Sequence, residues 1–456
     1  MRVGVVGGGI TGLALTHYLA ERGVDSVAYE ADDQPGGVID SRTVDGRVLE
    51  VGPQRLRLTE ELDAMVDDLD AAGDSDGDTD DDLDATDDSD GDTDTDAADD
   101  APGLRESLRL ADDDQPLYVY ANGGLRVVPR SASALLTTDL LSWRGKLRAF
   151  AEPLTAAGSP EESVAELFTR KFGQEAYENL VEPILGGTYG SDPARMPVGR
   201  AMPGVLRLEE QRGNLLVPAA KRLLGSRETP PPASFDEGLQ QLPRALARVH
   251  DDRVELGTAV EDLQRGDDGV GVVLEDGRTE RFDRVVVTVS APAAGELLSS
   301  VAPDSAEALA SLTYNPLALV HLDAAADVTG FGYQVRRSEP LRTLGVSWNA
   351  SLFDRENLYT AFLGGMSDPE VMDLPEAEIG EIAAGEFEQV VGAPAEVLHV
   401  EKLPDAFPAY DRSWAALDDV DLPEEITLAT NYTARMGIPS RVREAKRLAA
   451  EFAESA

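Results

Sequence analysis

Residues Arg2–Glu30 of this 456-residue chain read RVGVVGGGITGLALTHYLAERGVDSVAYE, and their pattern predicts how the fold begins. The beginning of this stretch, Arg2–Val6, predicts a short buried strand, and the spacing of apolar residues over Ile10–Arg22 predicts a helix. The segment Ser26–Glu30 predicts a second strand. Because a strand, a helix and a second strand in this order form a βαβ unit, we expect an α/β (α+β) fold whose first domain is Rossmann-like.

Three glycines open the predicted helix in the pattern Gly7-x-Gly9-x-x-Gly12. The first permits a tight turn, the second lets a pyrophosphate approach the backbone, and the third lets the helix pack closely on its strand. Glu30 follows Gly12 by 18 residues, where its carboxylate can bind an adenosine ribose. A tight turn without a ligand explains neither Gly8 nor Glu30. We therefore predict that a dinucleotide binds at Gly7, Gly8, Gly9, Ile10, Thr11, Gly12 and Glu30.

The charge of the chain restricts its partners. It contains 86 acidic and 40 basic residues, which gives a formal net charge of −46. A nucleic-acid partner is not expected, since binding a polyphosphate requires a basic face, and an anionic membrane would also be repelled overall. Such a surface favours a halophilic source, where salt screens the self-repulsion; an acidic protein from a GC-rich genome is the alternative.

Cysteine is absent, which excludes disulfides, thiolate metal sites and cysteine catalysis. The amino terminus lacks the features of a signal peptide, and no apolar run approaches the roughly 18 to 20 residues of a membrane span. We expect a cytoplasmic protein. The sequence shows no metal cluster and no nucleophilic triad, and its four isolated histidines are interpreted as structural: His17, His250, His321 and His399.

One segment differs from the rest in composition. Asp74–Asp100 contains 15 aspartates, and the heptad DSDGDTD occurs in it twice. A calcium loop of the EF-hand type requires glycine at its sixth position, whereas Gly77 and Gly91 occupy the fourth position of each heptad. We therefore favour a disordered insertion over residues 71–102 to an ordered calcium site, because nothing there offsets the entropy of ordering.

Beyond the insertion the pattern is that of a folded protein. The region from Ser142 to Leu224 looks mostly helical, and strand-like pieces follow beyond Pro230, with a hairpin predicted at Asp276-Gly277. Two later helices are predicted, at about Glu376–Val391 and over Ser440–Glu454.

The dinucleotide is identified by the residues after Glu30. The segment ADDQPGGVIDS places Gly36-Gly37 a few residues after the acidic end of the strand. This arrangement resembles the second signature of the FAD-dependent amine oxidase superfamily, in which the glycine pair lets the backbone pass close to the FAD diphosphate. The resemblance therefore implies FAD rather than NAD.

Further segments resemble the protoporphyrinogen and coproporphyrinogen oxidases of that superfamily, and together they span nearly the whole chain apart from the insertion. They are EVGPQRLR from Glu50, LYVYANGGLRVVP from Leu117, LVEPILGGTYGSDPARMPV from Leu180, FDEGLQQLPRALA from Phe235, DRVVVTVSAP from Asp283, FPAYD from Phe407 and NYTARMGIPSRVREAKRLA from Asn431. The sequence departs from the family where Gln54 replaces an arginine, with arginine next at Arg55, where Gln115-Pro116 replaces an arginine, and in the ending, at Ser440-Arg441 and Lys446.

The resemblance implies an FAD-binding domain assembled from three stretches, with a mixed-sheet substrate domain and a helical domain between them. The implied domains are residues 1–60, 226–295 and 406–456 for FAD, 103–225 for the substrate and helical part, and 296–405 for the substrate-binding sheet. In some relatives the helical domain touches the membrane. Here Leu135, Leu136, Leu140, Leu141 and Trp143 are interpreted as core residues, with a weak peripheral membrane contact as the alternative.

The resemblance also implies further site residues. Beside FAD we expect Gly36, Gly37, Gly52, Pro53, Gln54, Arg55, Val260, Met436, Gly437 and Ile438. The candidates for binding the carboxylates of a tetrapyrrole substrate are Arg55 and Arg57, because guanidinium groups bind carboxylates in pairs of hydrogen bonds. The alternative is that both arginines pair with surface acids.

The expected activity is the oxidation of a porphyrinogen to the porphyrin at the flavin in haem synthesis. No catalytic side chain is assigned, since the cofactor carries the chemistry, and the electron acceptor stays open. The alternatives are a carotenoid desaturase, an amine oxidase, or a relative that binds FAD or haem without turnover. An amine oxidase would need an aromatic cage, which the 5% aromatic content does not favour.

Overall fold

The computed structural model describes residues 1–75, 103–217, 229–266, 268–433 and 436–456. In chain order its strands are β1 (Arg2–Val6), β2 (Asp25–Tyr29), β3 (Ser41–Val44), β4 (Arg47–Glu50), β5 (Leu56–Arg57), β6 (Leu108–Leu110), β7 (Leu117–Ala121), β8 (Gly124–Val127), β9 (Pro232–Phe235), β10 (Val254–Glu255), β11 (Val260–Gly266), β12 (Gly269–Leu274), β13 (Thr279–Phe282), β14 (Arg284–Val287), β15 (Tyr314–Asp323), β16 (Gly332–Val335), β17 (Thr343–Ser347), β18 (Leu358–Gly364), β19 (Glu396–Pro408) and β20 (Ile426–Leu428).

The helices lie between these strands, singly or in runs, and seven of those described follow one another between β8 and β9. They are α1 (Ile10–Glu21), α2 (Glu60–Ser75), α3 (Ala132–Thr137), α4 (Trp143–Phe150), α5 (Val164–Phe172), α6 (Gln174–Ala176), α7 (Glu182–Tyr189), α8 (Val198–Ala201), α9 (Pro203–Arg212), α10 (Gln241–Val249), α11 (Ala291–Leu298), α12 (Pro303–Ala310), α13 (Asn349–Phe353), α14 (Glu376–Val391) and α15 (Ile438–Ser455). The mixed α/β fold expected from the sequence is confirmed.

A five-stranded parallel sheet forms the part of the fold that the amino-terminal sequence predicts. Its strand order is β10-β2-β1-β14-β20, so β1 lies at the centre. Successive residues of β1 point to opposite faces: Val3 and Val5 pack with helices α1 and α15, whereas Val6 packs on the side of α11 and the small sheet β11-β12-β13. The predicted strand Arg2–Val6 is confirmed, and the predicted helix ends one residue earlier than expected, at Glu21.

A second, seven-stranded sheet has the order β19-β15-β18-β17-β16-β7-β8. It is mixed, because β16 and β7 run parallel while the other neighbouring strands run antiparallel. Helix α14 covers one face of it through Ile379, Ala383 and Phe387. The predicted helix Glu376–Val391 is confirmed, as is the hairpin at Asp276-Gly277, where β12 and β13 pair antiparallel.

Two predictions extend beyond the described residues. Helix α2 ends at Ser75, five residues into the predicted insertion 71–102, and residues 76–102 lie outside the described part of the chain. The predicted helical region is confirmed over α4 to α9, and its end, residues 218–224, also lies outside. The division into domains stays a prediction, although the strands of the parallel sheet come from the three stretches assigned to FAD.

Candidate cofactor and substrate site

The carboxyl ends of the five parallel strands meet at one edge of the sheet. The chain crosses from β1 to β2 on one side of β1, and β14 and β20 lie on the other side, so the strand order reverses at β1. In open α/β sheets ligands bind at such a reversal, outside the carboxyl ends of the strands. The turn after β1 is therefore the place at which the fold offers a binding site.

The geometry of that turn requires glycine at Gly7 and Gly12, and Gly9 leaves open space beside it. Gly7 has φ +109°, and a Cβ atom on Gly12 would lie 2.0 Å from the carbonyl oxygen of Gly7. Gly9 precedes the first turn of α1 without a side-chain cap, and a Cβ atom there would meet only the carbonyl oxygen of Gly36, at 3.9 Å. The N–H groups at the start of α1, from Ile10 and Thr11 onward, lie at a positive helix end that favours a phosphate.

Glu30 lies beside this turn. Its Oε2 atom accepts a hydrogen bond from the backbone N–H of Gly8 at 2.5 Å, and its Oε1 atom accepts one from the N–H of Asp32 at 3.0 Å. The backbone carbonyl of Glu30 accepts a hydrogen bond from the N–H of Thr258 at 2.7 Å. Thr258 lies two residues before Val260, the first residue of β11. Val260 is therefore on the side of Glu30, where the sequence predicts the adenosine.

The glycine pair after Glu30 reaches the same turn. The N–H of Gly36 donates to the carbonyl of Gly8 at 2.9 Å, and Gly36 forms an isolated parallel bridge with Gly9. Gly36 and Gly37 have φ of +130° and +59°. The structure thus brings together two signatures that are separated by more than 20 residues in the sequence.

The segment Glu50–Gln54 runs beside the glycine pair. A Cβ atom on Gly52, which precedes Pro53, would lie 1.9 Å from the carbonyl oxygen of Val38. Gln54 is buried, and its amide donates to the carbonyls of Glu50 and Gly52 while its oxygen accepts from the amide of Asn349 at 3.0 Å. Gln54 therefore links this segment to the second sheet. Both the nitrogen and the oxygen of its amide already have hydrogen-bond partners, so they are not both free to bind a ligand.

Glu50 itself is a buried anion. It is 1% exposed, its Oε1 lies 3.0 Å from the guanidinium of Arg355, and it accepts hydrogen bonds from the hydroxyl groups of Ser41 and Ser234. Its backbone carbonyl contacts Nε2 of the buried His321 at 3.0 Å. These contacts fix the position of the Gly-Pro segment that follows.

Arg55 and Arg57, the two predicted substrate arginines, have different partners. Both guanidinium groups lie over the ring of Phe331, at 5.3 Å and 5.8 Å from its centroid. Arg57 forms an ion pair with Asp113, a carboxylate that it shares with Arg130. Arg55 donates to the hydroxyl oxygen of Ser347 at 3.0 Å and has no carboxylate partner within the described ranges. Burial, together with the nearby Arg57, lowers the pKa of Arg55 to about 10, so it is still a cation at neutral pH.

Other arginines near a cavity are already paired. A cavity of about 320 Å³ lies between α7 and the strands β16 and β17. Arg336, Arg337 and Arg342 line it, but Arg336 pairs with Glu339, Arg337 with Asp192 and Arg342 with Asp368. Arg55 does not line this cavity, and it differs from these arginines because no carboxylate pairs with it within the described ranges.

The segment Met436–Ile438, predicted to face the flavin, leads directly into α15, and residues 434 and 435 before it lie outside the description. Arg441, in the first turn of α15, is 5% exposed and donates from Nη1 to the carbonyl of Thr430. Its Nε and Nη2 atoms are buried without a hydrogen-bond partner in the described structure. Burial lowers the pKa of Arg441.

Arg441, Arg355 and Phe331 were not predicted as site residues. For Arg441 a signal existed in the sequence: it lies three residues after Ile438 and four before Ala445, on the apolar face of α15, where an arginine requires an explanation. Arg355 and Phe331 carry no such local signal, because their partners are distant in the chain.

From the sequence, five apolar residues near α4 are interpreted as core, and the interpretation is right for some of them. The five are Leu135, Leu136, Leu140, Leu141 and Trp143. Leu140 and Leu141 are buried, and Leu135 is half-buried. For Leu136 and Trp143 it is wrong, since their exposures are 59% and 66%, and both belong to a cluster of exposed apolar side chains that we call the α4 patch: Leu136, Trp143, Leu147, Phe150 and Leu154. Trp143, Leu147 and Phe150 follow one another at four- and three-residue spacing, so they share one face of α4. None of the described helices is both long and apolar enough to cross a bilayer.

Known proteins are similar to this chain over most of its length. Residues 10–451 match the model of a family described as flavin containing amine oxidoreductase. The chain is 26% identical to protoporphyrinogen oxidase 1, chloroplastic, of Spinacia oleracea, covering 99% of this chain and 84% of that protein. It is 25% identical to coproporphyrinogen III oxidase of Staphylococcus aureus, covering 90% and 88%.

Solved structures show the same fold. A protein assigned as a protoporphyrinogen oxidase from Exiguobacterium sp. 255-15 superposes with a TM-score of 0.74 at 22% identity, covering 100% of this chain and 99% of that one. Cyclohexylamine oxidase from Brevibacterium oxydans IH-35A gives 0.65 at 15% identity, covering 100% and 99%.

The chain belongs to the flavin containing amine oxidoreductase family. It is an FAD-dependent oxidoreductase.

The residues at the sheet edge fit this cofactor. The glycine turn leaves room for a diphosphate at the start of α1, and the carboxylate of Glu30 can exchange the N–H of Gly8 for ribose hydroxyl groups. The unpartnered Nε and Nη2 atoms of Arg441 require an acceptor, which the polar edge of a flavin or its diphosphate can provide. Which atoms of FAD each residue binds stays a prediction.

Proposed function

We propose that this protein oxidises a porphyrinogen, protoporphyrinogen IX or coproporphyrinogen III, to the porphyrin in haem biosynthesis. The observation that carries the proposal is Arg55, a cation without a carboxylate partner among the described residues of a chain with 86 acidic side chains. The curated relatives named above support the same substrate class, because their names are those of protoporphyrinogen and coproporphyrinogen oxidases.

Porphyrinogens carry propionate groups, and Arg55 provides what a propionate needs. The stacking of its guanidinium on Phe331 and its bond to Ser347 hold it in place, which reduces the entropy lost on binding. Arg55 follows Gln54, whose amide is hydrogen-bonded to Glu50 and Asn349. Arg55 therefore extends from a fixed backbone, next to the Gly52-Pro53 segment that is predicted to lie beside FAD. A carboxylate bound here would be oriented relative to the cofactor.

The side chains of this protein bind and orient, and the oxidation itself is the cofactor's chemistry. FAD held here would supply two-electron oxidising capacity for the porphyrinogen, and an external electron acceptor would restore it after each step. The buried Glu50–Arg355 pair fixes the segment that carries Arg55, and the glycine turn with Glu30 positions the adenosine end. The two ends of the site are thus held by separate parts of the chain.

The test compares Arg55→Met with Arg130→Gln. Arg130 lies over the same ring of Phe331, at 5.9 Å, but pairs with Asp113, so it is a matched control. Loss of a charged hydrogen bond worth about 1.5 to 3 kcal/mol predicts a KM for porphyrinogen raised roughly 10- to 100-fold in Arg55→Met, with an unchanged flavin spectrum. Arg130→Gln should stay near wild type.

The substrate class is tested on the wild-type holoprotein. Under anaerobic conditions, protoporphyrinogen IX or coproporphyrinogen III should bleach the flavin while porphyrin fluorescence appears. Bleaching by an aliphatic amine or by a carotene, but by neither porphyrinogen, would contradict the proposal in favour of the other activities of the superfamily. Bound flavin that none of these substrates bleaches would indicate a binding protein.

We also infer a weak peripheral contact with an anionic membrane through the α4 patch. Helix α4 carries Arg144, Lys146 and Arg148 and no acidic residue, in contrast to the strongly acidic chain. Basic side chains beside an exposed tryptophan and leucines are the composition that binds the interface of anionic bilayers. The membrane contact is proposed only for this patch, because the rest of the surface carries the excess of acids.

A further inference from the structure

Two histidines that are 233 residues apart in the sequence contact each other at helix α1, the helix that begins at the glycine turn. Nδ1 of His17, in α1, lies 3.0 Å from Nε2 of His250, which follows α10. Burial is the main cause that lowers the pKa of both, that of His250 to about 4. The separation of 3.0 Å is that of a hydrogen bond, so one ring donates to the other.

The second nitrogen of His17 is left without a hydrogen bond. His17 is 4% exposed, and its Nε2 atom is buried with no hydrogen-bond partner in the described structure. If Nδ1 carries the proton and donates to His250, Nε2 holds a free lone pair. A buried imidazole whose other nitrogen donates to a second group is the arrangement found around histidine metal ligands.

The free nitrogen points to two carboxylates. Oε1 of Glu21 lies 3.7 Å from Nε2 of His17, too far for a hydrogen bond but on the same face of α1, since the two residues are four apart. A carboxylate oxygen of Asp68, from α2, completes a group whose three atoms all lie within 4.8 Å of one another. No ion pair or hydrogen bond engages Asp68 in the ranges that the structure describes.

We propose that His17, Glu21 and Asp68 bind a divalent transition-metal ion such as Zn²⁺. One imidazole nitrogen and two carboxylate oxygens are a mixed ligand set that suits Zn²⁺, Co²⁺ or Mn²⁺. An ion here joins α1 to α2, and α1 begins at the glycine turn that receives the cofactor. The sequence predicted no metal and a structural role for each histidine, because Asp68 and His250 approach His17 only in the folded chain.

Two cations border the group and limit its affinity. Arg22 contacts Oε2 of Glu21 at 3.3 Å, which leaves Oε1 for the ion, and Lys446 lies over the ring of Tyr18 at 5.3 Å from its centroid.

The experiment uses the holoprotein with Zn²⁺ as the probe. Calorimetric titration is run in concentrated potassium nitrate with excess Mg²⁺, so that the many weak carboxylate sites are screened or already filled. One tight site is expected. Asp68→Asn and Glu21→Gln should each weaken it at least tenfold, whereas the control Asp67→Asn, the neighbouring exposed acid that pairs with Arg105, should change it less than twofold.

A second readout identifies the histidine. In protein labelled with ¹⁵N-histidine, Zn²⁺ should shift the Nε2 resonance of one ring, and the shift should be absent in Asp68→Asn. Because Asp67 and Asp68 are exposed, both variants are expected to fold, and their flavin spectra verify it. The proposal is overturned if the wild type shows no tight site, or if wild type and Asp68→Asn titrate alike.

Discussion

The carboxylate of Glu30 accepts a hydrogen bond from the backbone N–H of Gly8, with 2.5 Å between Oε2 and the nitrogen. Gly8 has no side chain at this point because a Cβ atom would lie 2.7 Å from the Cβ of Glu30. This hydrogen bond joins the end of β2 to the turn after β1, at the place where the adenosine of FAD is expected. The same carboxylate is placed to accept hydrogen bonds from a ribose.

Glu30→Gln is therefore expected to weaken FAD binding about tenfold or more, since a neutral amide replaces a charged acceptor worth about 1.5 to 3 kcal/mol. The measurement is titration of flavin-free protein with FAD, followed by flavin fluorescence. Asp33→Asn, an exposed neighbouring acid, is the control. Equal affinity in wild type and Glu30→Gln would contradict the assignment of Glu30 to the cofactor.

Arg355→Met is expected to destabilise the fold by about 3 kcal/mol, because it leaves the carboxylate of Glu50 buried without its cation. The midpoint of urea unfolding measures this change. The double variant Arg355→Met/Glu50→Gln should recover part of the loss, since it removes the unpaired charge. Arg278→Met, which breaks exposed ion pairs, should cost under about 1 kcal/mol.

Acid should destabilise the protein partly through His321. Burial lowers the pKa of this histidine from 6.5 to about 4. As the pH falls from 6.5 towards 4, the unfolded chain takes up a proton that the folded chain does not, so stability decreases over this window and is fully present above it. His321→Gln cannot be protonated and should show a shallower loss of unfolding free energy between pH 6.5 and 4. Parallel profiles for the two proteins would rule out this contribution.

The α4 patch should bind anionic vesicles. In a flotation assay with phosphatidylglycerol vesicles, wild type is expected to float in part, and Trp143→Ser/Leu147→Ser to remain at the bottom, because each exposed side chain buries apolar area in the interface. Val397→Ser, an exposed apolar residue elsewhere, serves as the control. Equal flotation of wild type and the double variant would exclude membrane binding through the α4 patch.

Activity should rise with salt, because a substrate that carries carboxylates must enter a protein with a formal net charge of −46, and salt screens that repulsion. Initial rates with coproporphyrinogen III, measured from low to multimolar potassium chloride, provide the test. A flat or falling rate in protein that stays folded would count against both the halophilic source and the anionic substrate.

Elements that depend on local patterns could be predicted from the sequence. The strand Arg2–Val6, the glycine turn, the hairpin at Asp276-Gly277 and the helix Glu376–Val391 were predicted, because strand and helix periods and turn conformations depend on neighbouring residues. The family resemblance extended the prediction to the cofactor FAD, because the signatures of the family also lie in short segments of the sequence.

The pairing of the charged groups depends on the folded chain. Arg57 pairs with Asp113, whereas Arg55 has no carboxylate partner among the described residues. Arg355 reaches Glu50 across 305 residues, and His17 contacts His250. None of these relations follows from sequence spacing, because each joins side chains from different elements. The physical reason is that the charge and pKa of a side chain depend on burial and on the nearest charges, and packing determines both.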